Sequence, residues 1–273
     1  MERPDLGIAS LRTLVSSQCD ELALVFGICL CSSPISHSDQ IQWLYNRLMK
    51  YRALIFDLDG TLVHNMPVHN KALEDTLTEA GIQLSVDTTE FINSTYGKKV
   101  TEVFRGILGT HAAESDVIYW SERKEALYRE RFARWREPMP GLLQLLEQAR
   151  NLGLPMAVAS ASPPENVSFI LDELNLHSYF KAVLTGQDVQ RGKPDPEIFL
   201  KSASELGVAP SDCLVFEDGL HGIEAARRAG MNAVLITTTL DAREVAGQSH
   251  VICAVPDFTH LDLQALLDGT INR

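Results

Sequence analysis

The chain has 273 residues, of which 45% are hydrophobic and 22% charged, and its formal net charge is -12. This length allows a sizeable core, and the composition is that of a soluble globular protein. The negative charge argues against a general nucleic-acid binder, because such proteins need a basic surface to neutralise phosphates. It does not exclude a small anionic substrate, because local lysines and backbone N–H groups hold phosphates on acidic proteins.

The first 48 residues share no pattern with the rest, and we predict that they form an N-terminal extension outside the main fold. Their longest apolar run, residues 22–31, is too short to span a bilayer. Asp20 and Glu21 precede it where a signal peptide carries positive charge, so we expect no membrane association and no secretory signal. The five cysteines show no CxxC zinc spacing and no paired framework, which favours a reducing, cytoplasmic location.

From Arg52 onward, apolar runs of strand length alternate with helical patterns. The predicted strands are residues 53–56, 156–160, 182–185, 213–217, 233–237 and 251–255. The predicted helices lie within residues 141–153, 162–176, 195–207 and 222–230. Glycines 153, 207 and 230 end three of these helices, and Ser162 to Glu165 reads as a capping box. Such alternation predicts an α/β fold, a Rossmann-like parallel sheet flanked by helices.

Residues 66–138 contain no convincing strand and several helical patterns, so we predict a helical cap domain inserted after the first strand. Residues 49–65 and 139–273 then form the α/β core. The cap segment is rich in lysine and arginine, but its glutamates are interleaved with them, and we interpret most of these charges as a solvated face.

Polar residues follow several of the predicted strands. Asp57 and Asp59 come directly after the first strand and, by strand alternation, point to the same side. Ser160 ends the second strand, Thr185-Gly186 the third, and Glu217-Asp218 the fourth. In parallel sheets ligands bind outside the carboxyl ends of the strands, so we expect these residues to share one site.

The residue types suit phosphoryl transfer. One aspartate can attack phosphorus while the other acts as acid and base. Acidic side chains at facing strand ends suit Mg²⁺, which prefers oxygen ligands. Lys193, before a proline-started helix, can offset carboxylates and grip a phosphate. Ser162 reads as the helix cap, which leaves Ser160 free for the substrate. Taken singly, each feature also fits a solvated strand end, a loop lysine or an ordinary serine.

Four motifs in this order resemble those of the haloacid dehalogenase superfamily, and within it the β-phosphoglucomutase-like branch with a helical cap. They are DLDGT (57–61), ASAS (159–162), GKPDPEIF (192–199) and FEDGLHGIEAARRAG (216–230). The resemblance covers about residues 50–265. It implies a Rossmann-like core, Mg²⁺ as cofactor and a small phosphorylated metabolite as substrate.

The resemblance also implies roles for individual residues. Asp57 is expected to be the nucleophile and Asp59 the general acid/base. The Asp57 carboxylate, the Asp59 backbone carbonyl and Asp218 are expected to bind Mg²⁺, with Glu217 as a further ligand or as a neighbour of the ligands. The phosphoryl group is expected to contact Ser160, Ala161 and Lys193. His69 matches a histidine near the cap hinge, and Lys124 matches a cap lysine.

Two departures weaken a mutase interpretation. His64-Asn65 follows the DGT turn where the family often has Asp or Asn-Ser, and Val100 stands where mutases carry a phosphate-gripping arginine, with Lys98 and Lys99 nearby. We therefore predict a Mg²⁺-dependent phosphatase for a sugar or polyol phosphate, acting through an aspartyl-phosphate. The alternatives are a β-phosphoglucomutase-like isomerase and, third, a non-catalytic binding module. We expect a monomer.

Overall fold

A computed structural model describes residues 49–84, 86–109, 111–132 and 137–270. The predicted extension, residues 1–48, lies outside the described residues. The described residues from Lys50 onward belong to one compact unit. Among the described helices, none combines the length and the apolar character that crossing a bilayer requires.

Six strands form one parallel sheet in the order β3-β2-β1-β4-β5-β6. They are β1 Ala53–Phe56, β2 Met156–Ala159, β3 Ala182–Leu184, β4 Cys213–Glu217, β5 Asn232–Ile236 and β6 Val251–Val255. All six predicted strands are confirmed, with ends that differ by one residue at most. Every residue of β1, β2 and β4 is buried, as expected for parallel strands covered on both faces.

Helices cover the sheet and fill the segment after β1. They are α1 Met66–Glu79, α2 Thr88–Thr95, α3 Val100–Leu108, α4 Glu114–Phe132, α5 Leu142–Asn151, α6 Pro164–Glu173, α7 Glu197–Leu206, α8 Leu220–Arg228 and α9 Leu263–Asp268. Short 3-10 turns lie at His177–Tyr179, Pro210–Asp212, Ala242–Val245 and Phe258–His260. Gly207 follows α7 with a φ of 75°, a left-handed conformation that glycine adopts without steric cost, so the predicted helix end is confirmed.

Two hydrophobic clusters are separate from each other. The larger one joins β1, β2, β4 and β5 to α7 and α8, and includes Ile55, Val215 and Phe199. The smaller one lies among α1 to α4 and contains Leu73, Leu77, Ile92, Phe104 and Val117. The helical segment after β1 therefore has a core of its own, which is what an inserted helical unit requires.

The strand order fixes where a ligand is expected. The chain leaves β1 for β2 on one side and later returns to β4 on the other side, so the sheet has its topological switch point at β1. Phe56 of β1 pairs with Phe216 of β4, which sets the residues that follow them, Asp57 and Glu217, side by side. Open α/β sheets bind their ligands in the crevice at such a point.

Candidate active site

The turn after β1 brings the two predicted catalytic aspartates to the switch point. Asp57 and Asp59 are both largely buried, with Leu58 packed into the core between them. Gly60 ends the turn with a φ of 83°. A Cβ at Gly60 would lie 2.0 Å from Oδ2 of Asp218, so only glycine allows this turn to approach the end of β4 so closely.

Lys193 joins the ends of β1 and β4. Its Nζ donates hydrogen bonds to Oδ1 of Asp57 at 2.6 Å and to Oε1 of Glu217 at 2.5 Å, and only 2% of the residue is exposed. Burial alone would lower the pKa of Lys193, but the two carboxylates raise it above the ordinary value, so the ammonium stays charged. The other oxygen of Glu217 accepts the backbone N–H groups of Asp218 and Gly219, both at 2.9 Å. Both oxygens of Glu217 therefore have donors.

Three acidic side chains form a group that can hold a cation. One carboxylate oxygen each from Asp57, Glu217 and Asp218 lies within 4.8 Å of the others. Burial, together with the charges of Glu217 and Asp218, raises the pKa of Asp57 well above its usual range even though Lys193 opposes that change. Burial and Glu217 raise the pKa of Asp218 to about 8, although the Thr239 hydroxyl donates to Asp218. The ammonium of Lys193 alone therefore cannot compensate all three carboxylates. Since the donors of this group are all oxygens, they fit Mg²⁺.

Asp59 has a different environment from the other carboxylates. Its Oδ1 accepts a hydrogen bond from Nδ2 of Asn65 at 2.5 Å, and its Oδ2 accepts the Ser162 hydroxyl at 2.5 Å. His69 adds a third contact, with Nε2 3.1 Å from Oδ1. Burial alone would raise the pKa of Asp59, but His69 and these hydrogen bonds hold it below the ordinary range. Asp59 is therefore ionised and held in one orientation.

Neither serine of the second motif has the role that the sequence suggested. The prediction that Ser162 caps a helix is wrong, because α6 has Pro163 as its N-cap residue and no side-chain cap. The Ser162 hydroxyl donates to Asp59 instead and lines the cavity. Ser160 is fully buried, and its hydroxyl accepts the backbone N–H of Ser162 at 3.0 Å. In this structure Ser160 thus fixes the loop that presents Ser162.

His69 and Lys124 lie together beside Asp59. Nζ of Lys124, on α4, lies 2.7 Å from Nδ1 of His69, on α1. Because an ammonium can only donate, Nδ1 accepts and Nε2 carries the proton that faces Asp59. The His69 ring stacks on Tyr128 with centroids 3.8 Å apart, and the Tyr128 hydroxyl accepts a 2.6 Å hydrogen bond from Asn65.

The structure also adds residues that sequence reasoning missed. Glu125 is buried on α4 and accepts Lys124 at 2.9 Å and Asn166 at 2.5 Å. Arg129 donates to Asn166 at 2.6 Å, which completes a link from α4 to α6. No motif signals these partners. In the sequence, Glu125 is one of several glutamates interleaved with the cations of this segment.

A cavity of about 100 Å³ lies between the strand ends and the helical segment. The end of the cavity at the strand ends is lined by polar side chains, and the end formed by the helical segment is lined by both polar and apolar side chains. The lining includes Asp57, Asp59, Asp218, Ala161, Ser162, His69, Lys124, Asn70, Tyr96, Lys98, Leu73, Val100 and Val103. Val100 thus lines the cavity, and Lys98 lies in the same lining.

Comparison with known proteins identifies the family. The profile of the haloacid dehalogenase-like hydrolases matches residues 51–230. The chain is 34% identical over 185 residues to fructose-1-phosphate phosphatase YqaB of Escherichia coli, a match that covers 68% of this chain and 96% of that protein. It is 30% identical over 195 residues to a phosphorylated carbohydrates phosphatase of Thermotoga maritima, covering 67% of this chain and 83% of that one. β-Phosphoglucomutase of Clostridium difficile has a similar structure, with a TM-score of 0.69 and 25% sequence identity. The match covers 79% of this chain and 95% of that one.

Proposed function

The chain belongs to the haloacid dehalogenase-like hydrolase family, and we propose that it is a Mg²⁺-dependent phosphatase that hydrolyses a sugar or polyol phosphate through an aspartyl-phosphate. The observation that carries this proposal is the different environment of the two aspartates at the end of β1. Asp57 is paired with Lys193, whereas Asp59 is held by neutral donors. Two carboxylates in distinct environments suit two distinct roles.

In the first half-reaction, a carboxylate oxygen of Asp57 attacks phosphorus. The new P–O bond forms as the bond from phosphorus to the sugar oxygen breaks, and the leaving oxygen takes a proton from Asp59. Asp59 is ionised in the described site, so it must gain a proton when the anionic substrate enters. A neighbouring phosphate dianion favours this, because like charges raise the pKa of a carboxyl group.

In the second half-reaction, water attacks the phosphorus of the aspartyl-phosphate. Asp59 accepts the proton of that water, the Asp57 carboxylate leaves, and inorganic phosphate is released. His69, Asn65 and Ser162 keep Asp59 oriented throughout, since each contacts one of its two oxygens.

We assign the phosphoryl group to a site formed by Lys193, the backbone N–H of Ala161 and the Ser162 hydroxyl, because Ser162 lines the cavity whereas Ser160 is fully buried. Lys193 contributes the charge, and Ala161 lines the cavity at the end of β2. His69 and Lys124 approach from the helical segment, where His69 offers an N–H donor and Lys124 a positive charge.

Mg²⁺ would be held by the carboxylates of Asp57 and Asp218 and by the backbone carbonyl of Asp59. When bound, the ion neutralises phosphate charge and orients the group for displacement. Glu217 belongs to the same acidic group, but both of its oxygens already accept hydrogen bonds, so we assign it the task of holding Lys193 and the end of β4.

The helical segment from α1 to α4 acts as the cap in this proposal. Its wall of the cavity combines Leu73, Val100 and Val103 with the cation Lys98. Among the described residues that line this wall there is no arginine to grip a second phosphate with a planar guanidinium, which favours a monophosphate substrate and hydrolysis over phosphate transfer within a sugar. The second candidate is a β-phosphoglucomutase-like isomerase, which the paired His69 and Lys124 favour.

Phosphate release and sugar isomerisation can be measured together on a set of sugar phosphates. We expect steady release of inorganic phosphate with Mg²⁺, its loss with a chelator, and its loss in Asp59→Ala. Efficient interconversion of β-glucose 1-phosphate and glucose 6-phosphate, with trace phosphate release and a need for a bisphosphate primer, would support the isomerase instead.

We further propose a monomer in a reducing, cytoplasmic setting, with no nucleic-acid partner. Cys213 and Cys253 are free thiols, and the acidic net charge disfavours phosphate backbones. Size-exclusion chromatography with light scattering tests the oligomeric state.

A further inference from the structure

The beginning of α3 contacts the loop that carries Lys193. Nζ of Lys99 donates hydrogen bonds to the carbonyl oxygens of Val189 and Gln190, the second at 3.4 Å. The backbone N–H of Gly192 donates to Oε1 of Glu102 at 3.1 Å. We call Lys99 and Glu102 the clamp. Its cation meets carbonyl oxygens and its carboxylate meets an N–H, so each charged group faces backbone of the complementary polarity.

Gly192 shows how closely these two parts of the chain approach. A Cβ built on Gly192 would lie 2.9 Å from Oε2 of Glu102, 3.3 Å from Cγ of Lys99 and 3.3 Å from the Lys99 nitrogen. Its φ is not in the left-handed region, so the backbone itself does not require glycine. A Cβ at Gly192 would instead displace the Glu102 carboxylate and press on Lys99, so it would disturb the clamp.

The core holds the same loop from the opposite side. The backbone N–H groups of Gln190 and Arg191 donate to Glu197 of α7, at 2.9 and 3.3 Å. Lys201 donates to the carbonyl of Asp188 at 2.7 Å. The loop is therefore held between α7 and the helical segment, and Lys193 follows directly after the clamped residues.

The residues just before the clamp contact the site itself. A Cβ on Gly97 would lie 3.7 Å from Cβ of Lys193, and Lys98 lines the cavity. The backbone carbonyl of Tyr96 lies 2.8 Å from Nδ1 of His221, on the core helix α8. Residues 96–102 thus connect the cavity wall of the helical segment to the loop of the catalytic lysine.

We propose that Lys99 and Glu102 are positioning residues. They hold the loop that carries Lys193 in a fixed position relative to Lys98, so that both side chains face the substrate. This inference rests on the proposed function, because it assigns Lys193 to the phosphoryl group. Neither clamp residue lines the cavity, and both act through backbone atoms at residues 189–192. Losing the clamp frees the loop that sets the distance from Lys193 to Asp57.

The test uses three disruptive variants, Lys99→Met, Glu102→Ala and Gly192→Ala. Glu102→Gln is the conservative rescue, because its amide oxygen still accepts the Gly192 N–H. Gly106→Ala is the matched control: Gly106 lies in the same helix α3, and a Cβ there meets nothing within 4 Å. Each full-length variant is compared by thermal unfolding, by amide hydrogen exchange of residues 189–192, and by kcat/KM for fructose 1-phosphate.

We expect the three disruptive variants to exchange the amides of residues 189–192 at least tenfold faster and to lose at least tenfold in kcat/KM. Glu102→Gln and Gly106→Ala should stay within twofold of the unsubstituted protein in both measurements. Faster exchange with unchanged kcat/KM would overturn the positioning role, and so would unchanged exchange. If one disruptive variant does not fold, the other two variants still test the positioning role.

Failure of the proposed function looks different from failure of this inference. If the unsubstituted protein releases no phosphate from any ester, the site assignment fails, and the positioning role fails with it. If the unsubstituted protein is active and the disruptive variants match it, only the clamp is refuted.

Discussion

Replacing Asp218 by asparagine should stabilise the metal-free protein while abolishing its activity. The side chain is buried beside Glu217, and within the described part of the chain Lys193 is the counter-charge that the two share. An asparagine has similar size, and its amide oxygen can still accept the Thr239 hydroxyl. The substitution thus removes a carboxyl group that is costly to ionise at this buried site, and one expected metal ligand at the same time.

The size of the effect follows from the pKa of Asp218, which is about 8 in the folded protein against an ordinary value of 3.8. Between these two values the unfolded chain is ionised while the folded protein keeps its proton, so stability falls by about 1.4 kcal/mol per pH unit as the pH rises. At pH 7 this amounts to roughly 4 kcal/mol. Because Glu217 and Asp57 share the repulsion, we expect Asp218→Asn to recover roughly 2 to 4 kcal/mol, or about 5 to 15 °C in Tm.

Thermal unfolding in the presence of a chelator, from pH 5 to pH 8, measures this directly. The Tm difference between Asp218→Asn and the unsubstituted protein should grow as the pH rises. Mg²⁺ at about 100 times its Kd should stabilise the unsubstituted protein by about 2.7 kcal/mol and leave the variant unchanged. Glu205→Gln, at an exposed position of α7, controls for loss of one charge. A variant that melts at or below the unsubstituted protein at pH 7, or that gains equally from Mg²⁺, would refute the reasoning.

Three further substitutions test the site by phosphate release. Asp57→Asn should abolish turnover with an unchanged circular dichroism spectrum, since an amide cannot attack phosphorus; activity within about tenfold would contradict the nucleophile assignment. Ser162→Ala removes a hydrogen bond to ionised Asp59, and we expect kcat to fall by roughly ten- to a hundredfold. Gly60→Ala places a methyl group against the Asp218 carboxylate and should abolish Mg²⁺-dependent stabilisation in thermal unfolding; an unchanged response to Mg²⁺ would contradict the role of this turn.

The sequence alone was enough to predict the sheet and the position of the site. β1 and β4 are apolar runs bounded by acidic turns, and parallel strands covered on both faces require such runs. Because carboxyl ends of parallel strands share one edge, Asp57 and Glu217 could be brought together without coordinates. Lys193 was a candidate as well, because it precedes a proline-started helix, but its place between Asp57 and Glu217 is seen only in the structure.

Only the tertiary structure decided which polar side chains meet. Ser162 has the local pattern of a helix cap, yet it donates to Asp59, 103 positions away. Glu125 meets Asn166, and Glu102 meets Gly192, across 41 and 90 positions. Strand and helix patterns follow from periodic burial, which each short segment carries in its own residues. A hydrogen bond between two elements depends on how those elements pack and rotate against each other, and no single segment of the sequence contains that information.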